Sequence, residues 1–325
     1  MDRAMILDSL DRIDGQVCVV GSMNVDYTIT THRLPQPGET VNGGPLQLLP
    51  GGKSGNQASA AALLGANVRM FGAVGDDANA DFLLKHLTDA GVDVSQVRHV
   101  DGPSGLTVIT VDDSAENTIV YSPGSNAKVD VEYVESAQSA LTDAKVLGLC
   151  LESPIETVTA CAKMCHEAGV KVLLNDSPFT AVLPRELIEN SDILLVNEIE
   201  MTQLLGIDAP ADDDWDAFDW QDALDRLVEL GFGEAIITLG GDGAVVLDSA
   251  ADDRVTRIDP VRVKPVDTTG CGDSFMGTVL AALASGMTLV EAARAASYVA
   301  AYAATGQGAQ ASYGTLAQVK AFFSE

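Results

Sequence analysis

The chain has 325 residues, 46% of them hydrophobic, which is enough for a sizeable core and excludes a disordered or low-complexity protein. At roughly 150 residues per domain it makes one large domain or two modest ones. Lys plus Arg number 19 against 47 Asp plus Glu, a formal net charge of −28 that sets the surface against nucleic acid and anionic membranes.

No stretch approaches the roughly 18 consecutive apolar residues of a spanning helix. The opening segment MDRAMILDSLDRIDG is acidic and lacks the apolar run of a secretory signal, so a cytoplasmic protein is expected. A coat this acidic repels itself in dilute buffer and is relieved by concentrated salt, which points to a halophilic host. The five cysteines (Cys18, Cys150, Cys161, Cys165, Cys271) are odd in number and form no CxxC pair. Neither a disulfide nor a zinc site is expected.

In chain order, QVCVVGS (16–22) reads as a buried strand, 56–66 as a helix, 68–75 as a strand and 80–92 as a helix. Apolar runs of strand length follow at 145–150, 171–176, 192–197 and 234–240, with helical stretches at 154–168, 184–190, 198–206 and 216–230. The acidic run DDDWDAFDWQD (212–222) reads as a solvated helix start. A hairpin-rich edge is expected after Gly240, and 273–303 reads as two helices split at Gly286. Apolar strands spaced by helices indicate parallel strands covered on both faces, an α/β layered architecture. Two segments break the rhythm. Residues 25–49 lack helical period, and 103–122 alternates as LTVITV and TIVY around a polar turn, the pattern of a hairpin. Together they predict a small antiparallel sheet carried on the larger unit.

The most informative stretch is Asp267-Thr268-Thr269-Gly270-Cys271-Gly272-Asp273-Ser274-Phe275, which closes an extended segment and opens an amphipathic helix. Glycines there let bare N–H groups face outward at a helix N-terminus, where an anion is favoured. A carboxylate beside such a site is a poor phosphate ligand. It suits a base that takes a hydroxyl proton while the amides stabilise a transferring phosphoryl group. An ordinary capped helix after a glycine turn has the same pattern. GxGxxG fails because position 275 is Phe275, and the P-loop pattern fails because position 47 is Gln47.

Other polar or glycine clusters fall at strand ends, where ligands sit in open α/β sheets. Gly51-Gly52-Lys53-Ser54-Gly55-Asn56-Gln57 stands at a helix mouth, where Lys53 and Asn56 would reach hydroxyls. Asn24 and Asp26 follow the first strand and suit sugar hydroxyls, although a plain turn uses the same residues. Glu152 ends another strand. Asn197, Glu198 and Glu200 end a third and would hold a hydrated Mg²⁺. Thr238-Leu239-Gly240-Gly241-Asp242-Gly243 makes a glycine turn at a fourth.

Taken together, GSMNVD (21–26), PGET (37–40), GGKSGNQA (51–58), GDD (75–77), LESPIE (151–156), NEIE (197–200), TLGGDG (238–243), VDTTGCGDSF (266–275) and GAQAS (308–312) cover nearly the whole chain. With these blocks in this order the chain resembles the ribokinases of the PfkB carbohydrate kinase family. The resemblance implies a ribokinase-like three-layer α/β/α sandwich with a small antiparallel β-sheet lid. The nucleotide- and sugar-binding core would be 1–24, 50–102 and 123–325, and the lid 25–49 and 103–122.

It further implies an ATP-dependent kinase acting on the primary hydroxyl of a pentose, ribose to ribose 5-phosphate. Asp273 would be the base, and Gly270, Cys271 and Gly272 the anion hole. Asn24, Asp26, Gly52, Lys53, Asn56 and Glu152 would grip the sugar. Asn197, Thr238, Gly240, Gly241, Gly243 and Ser297 would line the nucleotide, with Glu200 near Mg²⁺. A K⁺ site is implied at Asp267, Thr269, Ala303, Gly306, Gly308 and Ser312, and a homodimer through the lid.

Departures from the family pattern are Ser54-Gly55 for Gly-Ala in the sugar loop, Ser297 where many members carry Asn, and GAQAS for GAQPS. The first leaves the sugar open. A sugar-phosphate kinase making ribose 1,5-bisphosphate from ribose 1-phosphate, a nucleoside kinase, and a non-catalytic sugar-binding sensor are the alternatives. A phosphorylated substrate would call on His32, Arg33 or Arg98, which as readily belong to the surface.

Overall fold

The computed structural model describes residues 3–114 and 116–324; Ala115, in the expected polar turn, and Met1, Asp2 and Glu325 at the ends lie outside them. The strands in chain order are β1 (Gln16–Val20), β2 (Asn24–Thr30), β3 (Gln47–Gly51), β4 (Asn67–Val74), β5 (Asp93–His99), β6 (Gly105–Val111) and β7 (Asn117–Ser122). They continue with β8 (Val146–Cys150), β9 (Lys171–Asn175), β10 (Ile193–Asn197), β11 (Glu234–Thr238), β12 (Ala244–Asp248) and β13 (Val255–Ile258).

The larger sheet has nine strands in the order β13-β12-β11-β10-β9-β8-β1-β4-β5. It is parallel from β11 to β5, with β12 and β13 added antiparallel at one edge. Alternation along each strand feeds two apolar layers. Val17 and Val19 of β1 face one layer, with Met276, Val279 and Leu280 of the helix Cys271–Ala284. Cys18 and Val20 face the other, with Val158 and Cys161 of Ile155–Glu167 and Leu224 of Trp220–Leu230. The result is the expected three-layer α/β/α sandwich.

The second sheet has the order β3-β2-β6-β7. Its outer pairs, β2–β3 and β6–β7, are antiparallel as expected, but the central pair β2–β6 is parallel. The alternation that marks a hairpin reports only on neighbours in sequence, and β2 and β6 are joined through the larger sheet.

Several elements differ from expectation, two of them helices whose starts move. The helix Trp220–Leu230 starts later than the acidic run suggested. Ahead of it Trp215 is buried and packs against Phe218 and Trp220, so this run is only partly a solvated face. The helix expected from 56 begins instead at Lys53 and runs to Leu63. Glu152, just past β8, accepts the Lys53 N–H at 3.0 Å and so satisfies a donor of the first turn.

Among the described residues no helix is long and apolar enough to cross a membrane. The five cysteines are free thiols, all buried except the half-buried Cys271.

Candidate active site

Two helices make the centre of the site. Lys53–Leu63 and Cys271–Ala284 cross at Gly277, where a β-carbon would stand 2.4 Å from the Gln57 carbonyl oxygen and 2.8 Å from Ala60 Cβ. Only glycine permits that approach, and it brings the first turns of both helices together. Asp273, 8% exposed, there accepts from Asn56 Nδ2 at 2.8 Å and from Gln57 Nε2 at 3.3 Å. Gln57 Oε1 is buried with no partner among the described residues, so the bond to Asp273 is what offsets burial of that amide.

Gly270 caps the helix with φ of 75°. A β-carbon there would meet Ala309 Cβ at 2.6 Å and Tyr313 Oη at 2.7 Å, and the Tyr313 hydroxyl donates to the Gly270 carbonyl at 2.8 Å. The turn is therefore held from behind. At Gly272 a β-carbon would meet nothing within 4 Å, so the backbone there is open to approach. The Cys271 N–H, expected among the anion-binding amides, donates to the Thr268 carbonyl at 3.2 Å. The amides of Gly270, Gly272 and Asp273 itself have no such acceptor among the described residues.

On one side of Asp273 lie the residues expected to grip a sugar. Glu152 accepts from the Ser22 hydroxyl and the Lys53 N–H through the same oxygen. Burial pulls the Lys53 ammonium down, but the carboxylates of Asp273 and Glu152 outweigh it and hold its pKa above the ordinary lysine value. Asp26 Oδ1 accepts from the Thr107 hydroxyl. Burial raises the Asp26 carboxyl to about 6 against the Thr107 bond, with Glu152 and Asp273 adding to the rise. Asn24 is buried, and its Oδ1 accepts from Asn126 Nδ2 at 2.7 Å. Gly52, at φ 87°, packs on the β1–β2 connection.

On the other side opens a cavity of about 700 Å³, a volume ordinary for a small-molecule site. Its wall includes every expected nucleotide-side residue: Asn197, Thr238, Gly240, Gly241, Gly243 and Ser297, with Lys53, Glu200 and the 270–273 turn. Asn197 and Glu200 also cap their own helix. Asn197 Oδ1 accepts the Glu200 N–H at 2.7 Å and Glu200 Oε2 accepts the Asn197 N–H at 2.9 Å. Glu198, in the same wall, has its carboxyl raised by burial, with the charges of Glu200, Asp213 and Asp242 adding to the rise. These acids, with one oxygen of Glu200 already spent on backbone, suit a hydrated divalent cation rather than a closed cage.

The residues expected around K⁺ also gather. Asp267 accepts from the N–H groups of Thr269 and Gly308, both at 2.9 Å, pinning the 306–312 loop beside the helix start. Those two bonds outweigh burial and hold its carboxyl below the usual range. Ala303 O accepts from Gly306 N at 3.1 Å, and Gly306 packs on Ser312.

The three basic residues considered for a phosphorylated substrate are engaged elsewhere. His32 pairs with Asp113, Arg33 with Glu39 at 2.6 Å, and Arg98 with Asp130 at 2.9 Å while lying over the Tyr133 ring.

Sequence reasoning missed Gln57, Asn126, Gln310 and Tyr121. Gln310 Nε2 donates to Asn56 Oδ1 at 3.0 Å. Tyr121 stands on one rung of the small sheet with Thr107, Asp26 and Leu49, so these side chains share a face. Tyr121 is 41% exposed as a residue; desolvation of its phenol pushes it up to about 12, and the nearby Glu152 charge adds to the rise. Gln57 and Gln310 lie inside quoted motifs, but their partners are set only by the helix crossing; nothing local marks Asn126 or Tyr121.

The family described as pfkB family carbohydrate kinase matches residues 14–316. A ribokinase of Schizosaccharomyces pombe is 34% identical over 318 residues, covering 95% of this chain and 98% of that protein. A deoxyribokinase of Salmonella typhi is 31% identical over 310 residues, covering 95% of this chain and 98% of its own. Among solved structures, Arabidopsis thaliana ribokinase complexed with ribose and ATP superposes with a TM-score of 0.87 at 27% identity, covering 96% of this chain and 99% of that one.

Proposed function

The chain belongs to the pfkB family of carbohydrate kinases, and from that premise we propose that it transfers the γ-phosphoryl group of ATP to the primary hydroxyl of ribose, giving ribose 5-phosphate. The observation that carries this reading is the place of Asp273. Its carboxylate stands between the sugar-type ligands and the large cavity, held by two side-chain amides at the open start of a helix.

In this reading the sugar lies among Asn24, Asp26, Gly52, Lys53, Asn56 and Glu152, and Asp273 takes the proton of the attacking hydroxyl. The amides of Gly270, Gly272 and Asp273 receive charge as it moves onto the phosphoryl oxygens. Cys271 frames that turn through its bond to Thr268. Mg²⁺, when bound, would neutralise the nucleotide phosphates; Glu198 and Glu200 are the residues here to hold its water shell. K⁺ would sit in the 303–312 loop beside Asp267, supplied with carbonyls as much as with charge.

A phosphorylated sugar is disfavoured. The sugar side carries Asp26, Glu152 and Asp273 against Lys53 alone, and His32, Arg33 and Arg98 are committed to other acids. A 2-deoxy pentose is the second reading, favoured by the deoxyribokinase relative.

The four-stranded sheet (25–49 and 103–122) would act as a lid that excludes water during transfer. It exposes Leu46, Leu48, Val108, Ile119 and Val120, which supports a homodimer formed by two such sheets. The free thiols and the nucleotide donor fit a cytoplasmic enzyme, and the −28 charge fits a halophilic one.

The test is a panel of ribose, 2-deoxyribose, ribose 1-phosphate, fructose 6-phosphate and adenosine with ATP in molar KCl. Ribose is expected to give the highest kcat/KM. Preference for a phosphorylated sugar or a nucleoside would overturn the substrate, and no transfer to any acceptor would leave a sugar-binding sensor.

A further inference from the structure

The amide network behind Asp273 has a direction. Ser59 Oγ donates to Gln310 Oε1 at 3.2 Å, Gln310 Nε2 donates to Asn56 Oδ1 at 3.0 Å, and Asn56 Nδ2 donates to Asp273 Oδ2 at 2.8 Å. Ser59 and Asn56 are buried, so water does not readily replace these partners. An amide has a donor end and an acceptor end, and turning one over exchanges them. The donor that Gln310 offers to Asn56 Oδ1 therefore supports one orientation of the Asn56 amide. The Asp273 carboxylate only accepts, so Asn56 turns its NH₂ group to it and its oxygen to Gln310, whose Nε2 donates in return; the Ser59 hydroxyl at the far end can donate or accept. With Asn56 reversed, a carbonyl oxygen would face the Asp273 carboxylate, a repulsive contact in a buried place.

We propose that Gln310 is a positioning residue for phosphoryl transfer: through Asn56 it keeps a hydrogen-bond donor on the carboxylate of Asp273. The proposal rests on the reading of Asp273 as the base. Gln310 makes no contact with Asp273 in this network and acts through the orientation of one side chain. A donor on the carboxylate stabilises its ionised form. The other oxygen carries the longer Gln57 bond.

Two substitutions separate this from simple packing. Gln310→Glu keeps the shape but offers only acceptors to Asn56, so it favours the reversed amide. Gln310→Met removes the orienting donor without demanding reversal. Both proteins would be assayed at full length in molar KCl, with kcat followed against pH at saturating ribose and ATP.

Gln310→Glu is expected to lower kcat by about 10- to 100-fold, within the span of acid–base effects, and to move the acid limb of the kcat profile to higher pH. Gln310→Met should move the limb in the same direction with a smaller loss, and KM for ATP should hold in both. An unchanged acid limb in Gln310→Glu, with wild-type kcat, overturns the proposal. Should that variant not fold, Gln310→Met decides by the same limb. Failure of the underlying reading looks different: the wild-type protein would then not phosphorylate sugars, or Asp273→Asn would turn over normally.

Discussion

Ser54 Oγ lies 3.1 Å from the sulfur of Cys150 and 3.4 Å from the Val20 carbonyl oxygen, fully buried between the ends of β1 and β8. The residue that departs from the family's sugar loop therefore points into the sheet, and its neighbours Lys53 and Asn56 keep their places beside Glu152 and Asp273. Ser54→Ala should leave KM for the sugar unchanged while removing a buried hydroxyl worth about 1 kcal/mol of stability. Steady-state kinetics and thermal melting of the one variant check both halves.

Tyr121 shares a rung with Asp26 and has Glu152 and Asn126 near its phenol. If the hydroxyl meets the sugar, Tyr121→Phe should raise sugar KM by about 2- to 10-fold, the worth of one hydrogen bond, with kcat and ATP KM little changed. Equal sugar KM values in the two proteins would remove Tyr121 from the sugar site.

Much of this was legible in the sequence, for physical reasons that also mark where legibility stops. Continuous apolar runs such as KVLLN and ILLVN announce strands buried on both faces, and β9 and β10 are such strands. The edge strand Asp93–His99 has no such run, because only parts of it are covered, so periodicity does not reveal it. The 267–275 turn is readable because its glycines and acid are contiguous. Its support is not. Gln310 lies 254 residues from Asn56, and Asn126 lies 102 from Asn24, so only the fold brings them together.

The raised Asp26 carboxyl, at about 6, predicts a pH effect on sugar binding. As pH falls from 7 through 6 the carboxylate gains a proton and loses acceptor capacity, so sugar KM should rise, and Asp26→Asn should abolish that inflection. The shift also has a sign for stability. The folded value lies above the unfolded one of about 3.9, so protonation favours the folded chain. That contribution is present below about pH 4 and is lost as pH rises through the folded-state value near 6. Asp176, raised to about 6 chiefly by burial, acts in the same direction.

Self-repulsion among 47 acidic side chains against 19 basic ones should be screened by salt. Thermal midpoint is expected to rise by several degrees between 0.1 and 2 M KCl, consistent with a screening length that shrinks to about 3 Å at 1 M. A midpoint that stays level across that range would contradict a salt-adapted protein.

The account depends most on Asp273, and the measurement that bears on it directly is the turnover of Asp273→Asn with ribose and ATP in molar KCl, alongside ATP affinity by calorimetry. Loss of the base predicts a fall in kcat on the order of 10²- to 10⁴-fold with nucleotide affinity roughly kept. Near-normal turnover in that variant would contradict the account.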